Sequence, residues 1–183
     1  MNKQIFLTTD RLNLRQWTAD DVPLYAAMNA DPDVMKYFPR LQTEEESAQF
    51  VAAQSTKIAE FGYGLFAVEL KQHADFIGFI GLSVATFDAD FTPCTEIGWR
   101  LRKEFWNQGY ATEGARACLE FGFKNLQLEQ IYSFTATLNQ PSERVMQKIG
   151  MSKIGEFLHP RVPDGNMLKP HVLYRSTHDH ITA

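Results

Sequence analysis

The chain has 183 residues, 44% of them hydrophobic and 22% charged, with a formal net charge of −4. That length is most simply one domain, residues 1–183, large enough for a continuous core, and the fractions exclude a disordered chain. The mild acidity argues against a general nucleic-acid binder, which needs a basic face. No apolar run approaches the ~20 residues that span a bilayer, so no membrane segment is expected. The opening residues Met1 to Asp10 are too short and polar for a secretory signal, which points to the cytoplasm. Cys94 and Cys118 are the only cysteines and are expected to be free thiols.

In chain order, Leu12 to Gln16 reads as a first strand. Thr18-Ala19-Asp20-Asp21 has the look of a helix start, with acidic residues at the positive end, and the helix should run to about Asn29. Asp31-Pro32-Asp33 breaks it. Thr43-Glu44-Glu45-Glu46 is a capping box ahead of a long helix ending near Phe61-Gly62. Strands follow at Leu65 to Leu70 and Phe76 to Val84, with a turn over Lys71 to Asp75. Next come a strand from Glu96 to Leu101, a helix from about Thr112, a strand from Ile131 to Leu138 and a helix from Ser142. Ser152 to Phe157 and Met167 to Arg175 read as the last two strands. The tail near 177–183 is expected to be flexible. This order, β-α-α-β-β-β-α-β-α-β-β, implies an α/β fold with a mixed sheet and helices on its faces.

The most telling stretch joins the Glu96 strand to the next helix through Trp106-Asn107-Gln108-Gly109-Tyr110-Ala111-Thr112-Glu113. A strand, a glycine turn and a helix start leave backbone N–H groups free at the positive end of a helix dipole, a cradle for phosphate. The loop lacks the glycine patterns of nucleoside triphosphatases and of dinucleotide folds.

Instead it resembles the acetyl-CoA pyrophosphate loop of the GNAT family of N-acetyltransferases, usually Gln/Arg-x-x-Gly-x-Gly/Ala. Trp106 stands at the first position, as in members similar to the ribosomal-protein N-terminal acetyltransferases, and should cost only a polar side chain. Downstream, Asn139-Gln140-Pro141-Ser142-Glu143-Arg144-Val145-Met146-Gln147-Lys148-Ile149-Gly150-Met151 resembles the family's second motif. The opening Leu7-Thr8-Thr9-Asp10-Arg11-Leu12-Asn13-Leu14-Arg15 is also typical of that subgroup. The resemblance implies a mainly antiparallel sheet with helices on both faces. Its two parallel strands, Glu96 to Leu101 and Ile131 to Leu138, should splay so that pantetheine lies between them. It implies acetyl-CoA as cosubstrate, held by Leu101, Asn107, Gln108, Gly109, Tyr110, Ala111, Thr112 and Asn139. Its partner would be an amine acceptor, which the acidic balance of the chain would attract.

Acetyl transfer to an amine needs a base, an oxyanion donor and help for the leaving thiolate. Glu96 is the base candidate; strand alternation turns it the same way as Gly98 and Arg100. Alternatively it is a strand-end carboxylate satisfied by solvent or by Arg100. Many family members carry a Tyr seven residues after the motif Asn; here that position is Met146, which cannot donate a proton. Ser142 is the replacement candidate, although Ser in a first helical turn is also ordinary. Asn139 suits an N-cap as well as a cofactor contact. Arg144 and Lys148 share a helix face, as solvated residues or as 3′-phosphate contacts. Trp17, Tyr37 and Phe38 fall where the family's acceptor-side helices and loop lie, and core or gate-loop packing is favoured for them over direct substrate contact. His178-Asp179-His180 is the one chelating pattern, but it is terminal, and no metal is expected.

No Cys sits where a covalent intermediate would need it, so direct attack is expected. The alternatives are a non-catalytic acyl-CoA-binding module or sensor, suggested by Met146, and a phosphate binder reading only the Gly109 loop. Acceptor contacts should come from Asp31 to Leu41 and His159 to Pro170, which carry no readable code. Oligomeric state is not encoded in any visible pattern.

Overall fold

The computed structural model describes residues 3–178. Its strands are β1 (Ile5–Thr8), β2 (Leu12–Arg15), β3 (Leu65–Leu70), β4 (Phe76–Ala85), β5 (Cys94–Leu101), β6 (Gln130–Ala136), β7 (Ser152–Leu158) and β8 (Pro170–Thr177). Its helices are α1 (Asp21–Ala30), α2 (Glu44–Phe61), α3 (Tyr110–Lys124) and α4 (Gln140–Lys148), with a 3-10 turn at Lys103–Phe105. The strands form one sheet in the order β1-β2-β3-β4-β5-β6-β8-β7. Every neighbouring pair is antiparallel except β5 and β6.

The apolar pattern of α3 seats it on one face of the sheet. Two of its glycines allow this, because a Cβ at Gly114 would lie 2.5 Å from Ile80 Cδ1 and one at Gly122 2.6 Å from Ile131 Cδ1. Cys118, Leu119 and Phe123 complete the contact at 1% exposure each, and burying each large apolar side chain contributes about 1.5–3 kcal/mol. Helix α4 packs beside α3 and β6. The opposite face carries α1 and α2, where Tyr25 and Phe50 stack at 5.0 Å and both rings reach Phe79 of β4. The backbone register pairs Phe79 with Arg100, Gly81 with Gly98 and Ser83 with Glu96. The polar side of β5 therefore faces the α1–α2 layer.

Local signals read from the sequence hold at α2. Thr43 accepts from Glu46 N and the Glu46 carboxylate accepts from Thr43 N, closing both ends of the capping box. Gly62 ends the helix at φ +74, the left-handed conformation that glycine adopts without strain. The start of α1 is built differently from the expected N-cap. Asp20 makes no side-chain cap. Instead Asp21 accepts from Thr18 N and Thr18 Oγ and from both terminal nitrogens of Arg15. Burial alone would raise the Asp21 carboxyl, but Arg15 and Thr18 hold it below its ordinary value. Arg15 Nε also reaches Glu69 at 2.8 Å. Arg15 is 1% exposed, so deleting Asp21 would leave its two terminal nitrogens without their carboxylate, and breaking a buried pair in this way costs about 3–5 kcal/mol.

Several sequence expectations shift, among them the end of β6 at Ala136 instead of Leu138, the start of β5 at Cys94 instead of Glu96 and the start of α4 at Gln140 instead of Ser142. A strand β1 precedes the first one foreseen; it is a four-residue edge strand with Ile5 half-exposed. Helix α3 begins at Tyr110, two residues before Thr112, and β8 begins at Pro170 instead of Met167. The reading of the terminal tail, and the Asp179 and His180 of the chelating tripeptide, lie outside the described residues. Among those residues no helix is long and apolar enough to cross a membrane, and no group of three or more His, Cys, Asp or Glu could hold a metal ion.

Candidate active site

The parallel strands β5 and β6 pair through a single residue pair, Glu96 with Tyr132. One residue on, Ser133 Oγ still donates to Ile97 O at 3.0 Å, and beyond that the strands part. On its other side β5 stays paired with β4 as far as Arg102 N, which donates to Ile77 O at 2.9 Å. In an antiparallel pair this register turns the backbone groups of Ile97, Trp99 and Leu101 away from β4 and toward the gap. The expected splay is therefore present, with an open stretch of β5 edge from Trp99 to Leu101.

At the end of that edge lies the Gly109 loop. Asn107 and Gly109 both take left-handed backbone conformations, with φ of +59 and +83; Asn tolerates this region and Gly adopts it freely. The first intrahelical bond of α3 is Glu113 N to Gly109 O at 3.0 Å, and no side chain caps the helix. The amides of Tyr110, Ala111 and Thr112 thus have no intrahelical acceptor, and the positive end of the dipole is uncovered.

The loop is held by residues whose part is not visible in the sequence. Arg11 Nη1 donates to Gln108 O at 3.0 Å, its guanidinium lies 4.4 Å over the Tyr110 ring, and Nε and Nη2 grip Glu113 at 2.6 Å. Thr9 Oγ donates to the other Glu113 oxygen at 2.6 Å. The Leu7-to-Arg15 opening thus straps the loop to β1 and β2. Trp106, read from the sequence as no more than the loss of a polar side chain, has a role of its own. Its indole Nε1 donates to Leu101 O at 2.8 Å, occupying the carbonyl at the end of the β5 edge. Gln108 turns its side chain to Glu104 O at 3.0 Å.

Asn139 caps α4, its Oδ1 accepting from Ser142 N at 3.3 Å, and its Nδ2 donates to Thr135 Oγ1 at 2.8 Å. Its N-cap reading holds. Ser142 is half-buried in the first turn of α4, just past the end of β6, and its Oγ has no protein partner among the described residues. Met146 lies in the main core at 1% exposure, so it offers nothing to the cleft.

Glu96 is half-buried and accepts from Ser83 Oγ at 3.0 Å. Arg100 does not pair with it. Burial raises the Glu96 carboxyl above its ordinary value, against smaller opposing effects from the Ser83 hydrogen bond and the positive charge of Arg161. A raised carboxylate is a stronger base once ionised. A Cβ built on Gly98, between Glu96 and Arg100, would meet nothing within 4 Å, so the floor beside Glu96 is open. Beyond Glu96 lies an aromatic wall of Phe87, Phe91, Phe134 and Phe157, joined by His159. The His159 ring is pushed down to about 4 by burial, His171, Arg161 and Lys169, so it is neutral near pH 7. Both thiols are buried. Cys94 is pushed up to about 11 by burial and by Glu96, and burial alone raises Cys118. Neither is a thiolate near neutral pH.

An amide cradle at one end of an open strand edge and a half-buried carboxylate at the other, where β5 and β6 part, can hold a phosphorylated thioester and deprotonate a nucleophile beside it. The comparisons agree with that chemistry. Residues 11–152 match the Acetyltransferase (GNAT) domain family. An uncharacterized N-acetyltransferase of Bacillus subtilis, YnaD, is 38% identical over 87% of this chain and 89% of its own length. A GNAT-family acetyltransferase structure from Bacillus anthracis superposes with a TM-score of 0.79 at 32% identity, covering 94% of this chain and 98% of that one. The ribosomal L7/L12 N-terminal acetyltransferase RimL, solved in complex with coenzyme A, shares the fold alone. Its TM-score is 0.76 at 16% identity, over 97% of this chain and 99% of that one. The chain belongs to the GNAT family and is an acetyl-CoA-dependent N-acetyltransferase.

Proposed function

We propose that this protein transfers the acetyl group of acetyl-CoA to a primary amine by direct attack within a ternary complex, the acceptor being a protein N-terminus or a small-molecule amine. The single observation that carries the reading is the open β5 edge, which runs from the amide end of α3 to the point beside Glu96 where β5 and β6 part. The pyrophosphate would rest on the amides of Gln108 to Thr112, with Asn107 shaping the turn. Pantetheine would lie along the β5 edge as far as Leu101, and Asn139 would flank its far side. Glu96 takes the proton from the acceptor ammonium, directly or through water. The free amine then attacks the thioester carbonyl, the C–S bond breaks, and the Ser142 hydroxyl assists the departing thiolate. The raised, buried thiols of Cys94 and Cys118 speak against an acetyl-cysteine intermediate. A cytoplasmic site of action fits this cosubstrate.

The test is mass spectrometry and thiol detection on acetyl-CoA mixed with an amine panel. CoA thiol should appear only when an amine is present, matched by acetylated amine, and acetyl-CoA alone should leave the protein mass unchanged. A stable acetyl-protein before amine addition would overturn direct attack. Bound acetyl-CoA with no transfer to any amine would favour the sensor reading.

A further inference from the structure

Arg100 is held unlike any other cation among the described residues. Its guanidinium lies 4.0 Å over the Phe38 ring and 5.5 Å from Phe79, and Nη1 donates to Asn29 Oδ1 at 2.7 Å. Asn29, fully buried, is itself fixed by Ser47 Oγ of α2 at 2.9 Å. No Asp or Glu forms an ion pair with Arg100 among the described residues. Its Nε is buried and has no hydrogen-bond partner, the one such side-chain atom among those residues. Nη2 also lacks a protein partner, and it is not buried. A cation desolvated among two aromatic rings and an amide, with one edge of its fork unused, is costly unless something else completes it.

That unused Nε–Nη2 edge has the geometry that receives a planar carboxylate by two parallel hydrogen bonds. It lies on the same face of β5 as Glu96, across the open floor at Gly98. The Cα atoms of the two residues are about 13 Å apart at strand spacing. The loop that supplies Phe38 carries a feature that fits the same charge. Lys36, Tyr37, Leu138, Asn166, Met167 and Leu168 line an open cavity of about 600 Å³ whose one charged residue is basic. Lys36 and Tyr37 belong to the loop that carries Phe38.

We propose that the acceptor carries a carboxylate as well as its amine, and that Arg100 is the residue that recognises it. Arg100 then grips the carboxylate while Glu96 faces the amine, with Asn29 and Phe38 holding the guanidinium in place. The recognised group is a carboxylate on a small amino acid or on a short peptide. This rests on the acetyltransferase reading above and names its substrate class.

The experiment compares kcat/KM for glycine, β-alanine, γ-aminobutyrate and dipeptides with the same compounds amidated at the carboxyl, with spermidine as a carboxylate-free control. The free acid of at least one pair should exceed its amide by about 10²-fold, the size of a charge-assisted bidentate contact. The pairs that show it tell small amino acids from peptides. In Arg100→Gln that ratio should collapse to about 1. Arg100→Lys keeps the charge without the fork and should retain only part of the ratio. CoA affinity by calorimetry reports whether either variant is folded at the cleft. Amides or spermidine used as well as the acids by the unmodified protein would overturn the inference while leaving the acetyltransferase reading intact. So would an acid preference that survives Arg100→Gln. Transfer to no amine at all would overturn both.

Discussion

Replacing Glu96 by Gln should separate stability from activity, with opposite signs and different pH dependences. The folded carboxyl is raised above its ordinary value, chiefly by burial. Below the ordinary carboxylate range, near 4.3, both folded and unfolded chains carry the proton and the residue costs nothing. As pH rises through the folded value, the unfolded chain ionises freely while the folded chain must ionise a desolvated group, so stability is lost. Each unit of upward shift corresponds to about 1.4 kcal/mol, and each kcal/mol to about 2–4 °C in Tm for a chain of this size. Gln escapes that cost and still offers an oxygen to Ser83 Oγ, which donates to Glu96 at 3.0 Å. Glu96→Gln should therefore match the unmodified protein in acid and exceed it in Tm at neutral pH. Its kcat/KM should fall by about 10²–10⁴-fold near neutrality and recover partly toward pH 10, where an aliphatic amine loses its proton unaided. Calorimetric melts and thiol-release rates over the same pH series check both halves. A mutant less stable at every pH would refute the burial argument, and a uniform loss of activity would make Glu96 a positioning group for the substrate cation.

Gly109→Val should weaken CoA binding by about 10–100-fold in calorimetry, because φ +83 is a backbone conformation that a β-branched side chain adopts only under strain. Unchanged affinity would remove the loop from the cofactor site. Ser142→Ala should lower kcat by up to about 10²–10⁴-fold with CoA affinity preserved, while Met146→Leu, a core exchange of similar volume, should cost under about 1.5 kcal/mol and leave kcat alone. Normal turnover in Ser142→Ala would mean the thiolate leaves without it. Trp106→Phe removes one hydrogen bond to Leu101 O and should loosen CoA by about 2–10-fold. No change would make the indole N–H incidental.

Much of this is legible in the sequence because the signals are local. The Thr43–Glu46 capping box, the Gly62 stop, the Gly109 turn and the alternation from Glu96 to Leu101 each lie within a few residues, and the structure builds them as read. The splay of β5 and β6 comes with the family resemblance. What stays hidden depends on register between distant strands. Ser83 meets Glu96 only because β4 and β5 pair with that offset. Arg11 reaches Glu113 across 102 residues of chain. The aromatic wall gathers Phe87, Phe134 and Phe157 from three segments. Strand β1 escapes a reading by pattern because a short edge strand with one face in water carries almost no periodic signal. The lack of an acidic partner for Arg100 is a property of its surroundings in space, so no local pattern could announce it.

The most direct measurement is an amide-resolved NMR titration of the labelled protein with acetyl-CoA. Large shifts are expected at Gln108 to Thr112, along Trp99 to Leu101 and at Ser142, with the amides of β1 and β7 far less affected. Binding that leaves the Gln108-to-Thr112 amides unmoved, or shifts centred away from the gap between β5 and β6, would contradict the site itself.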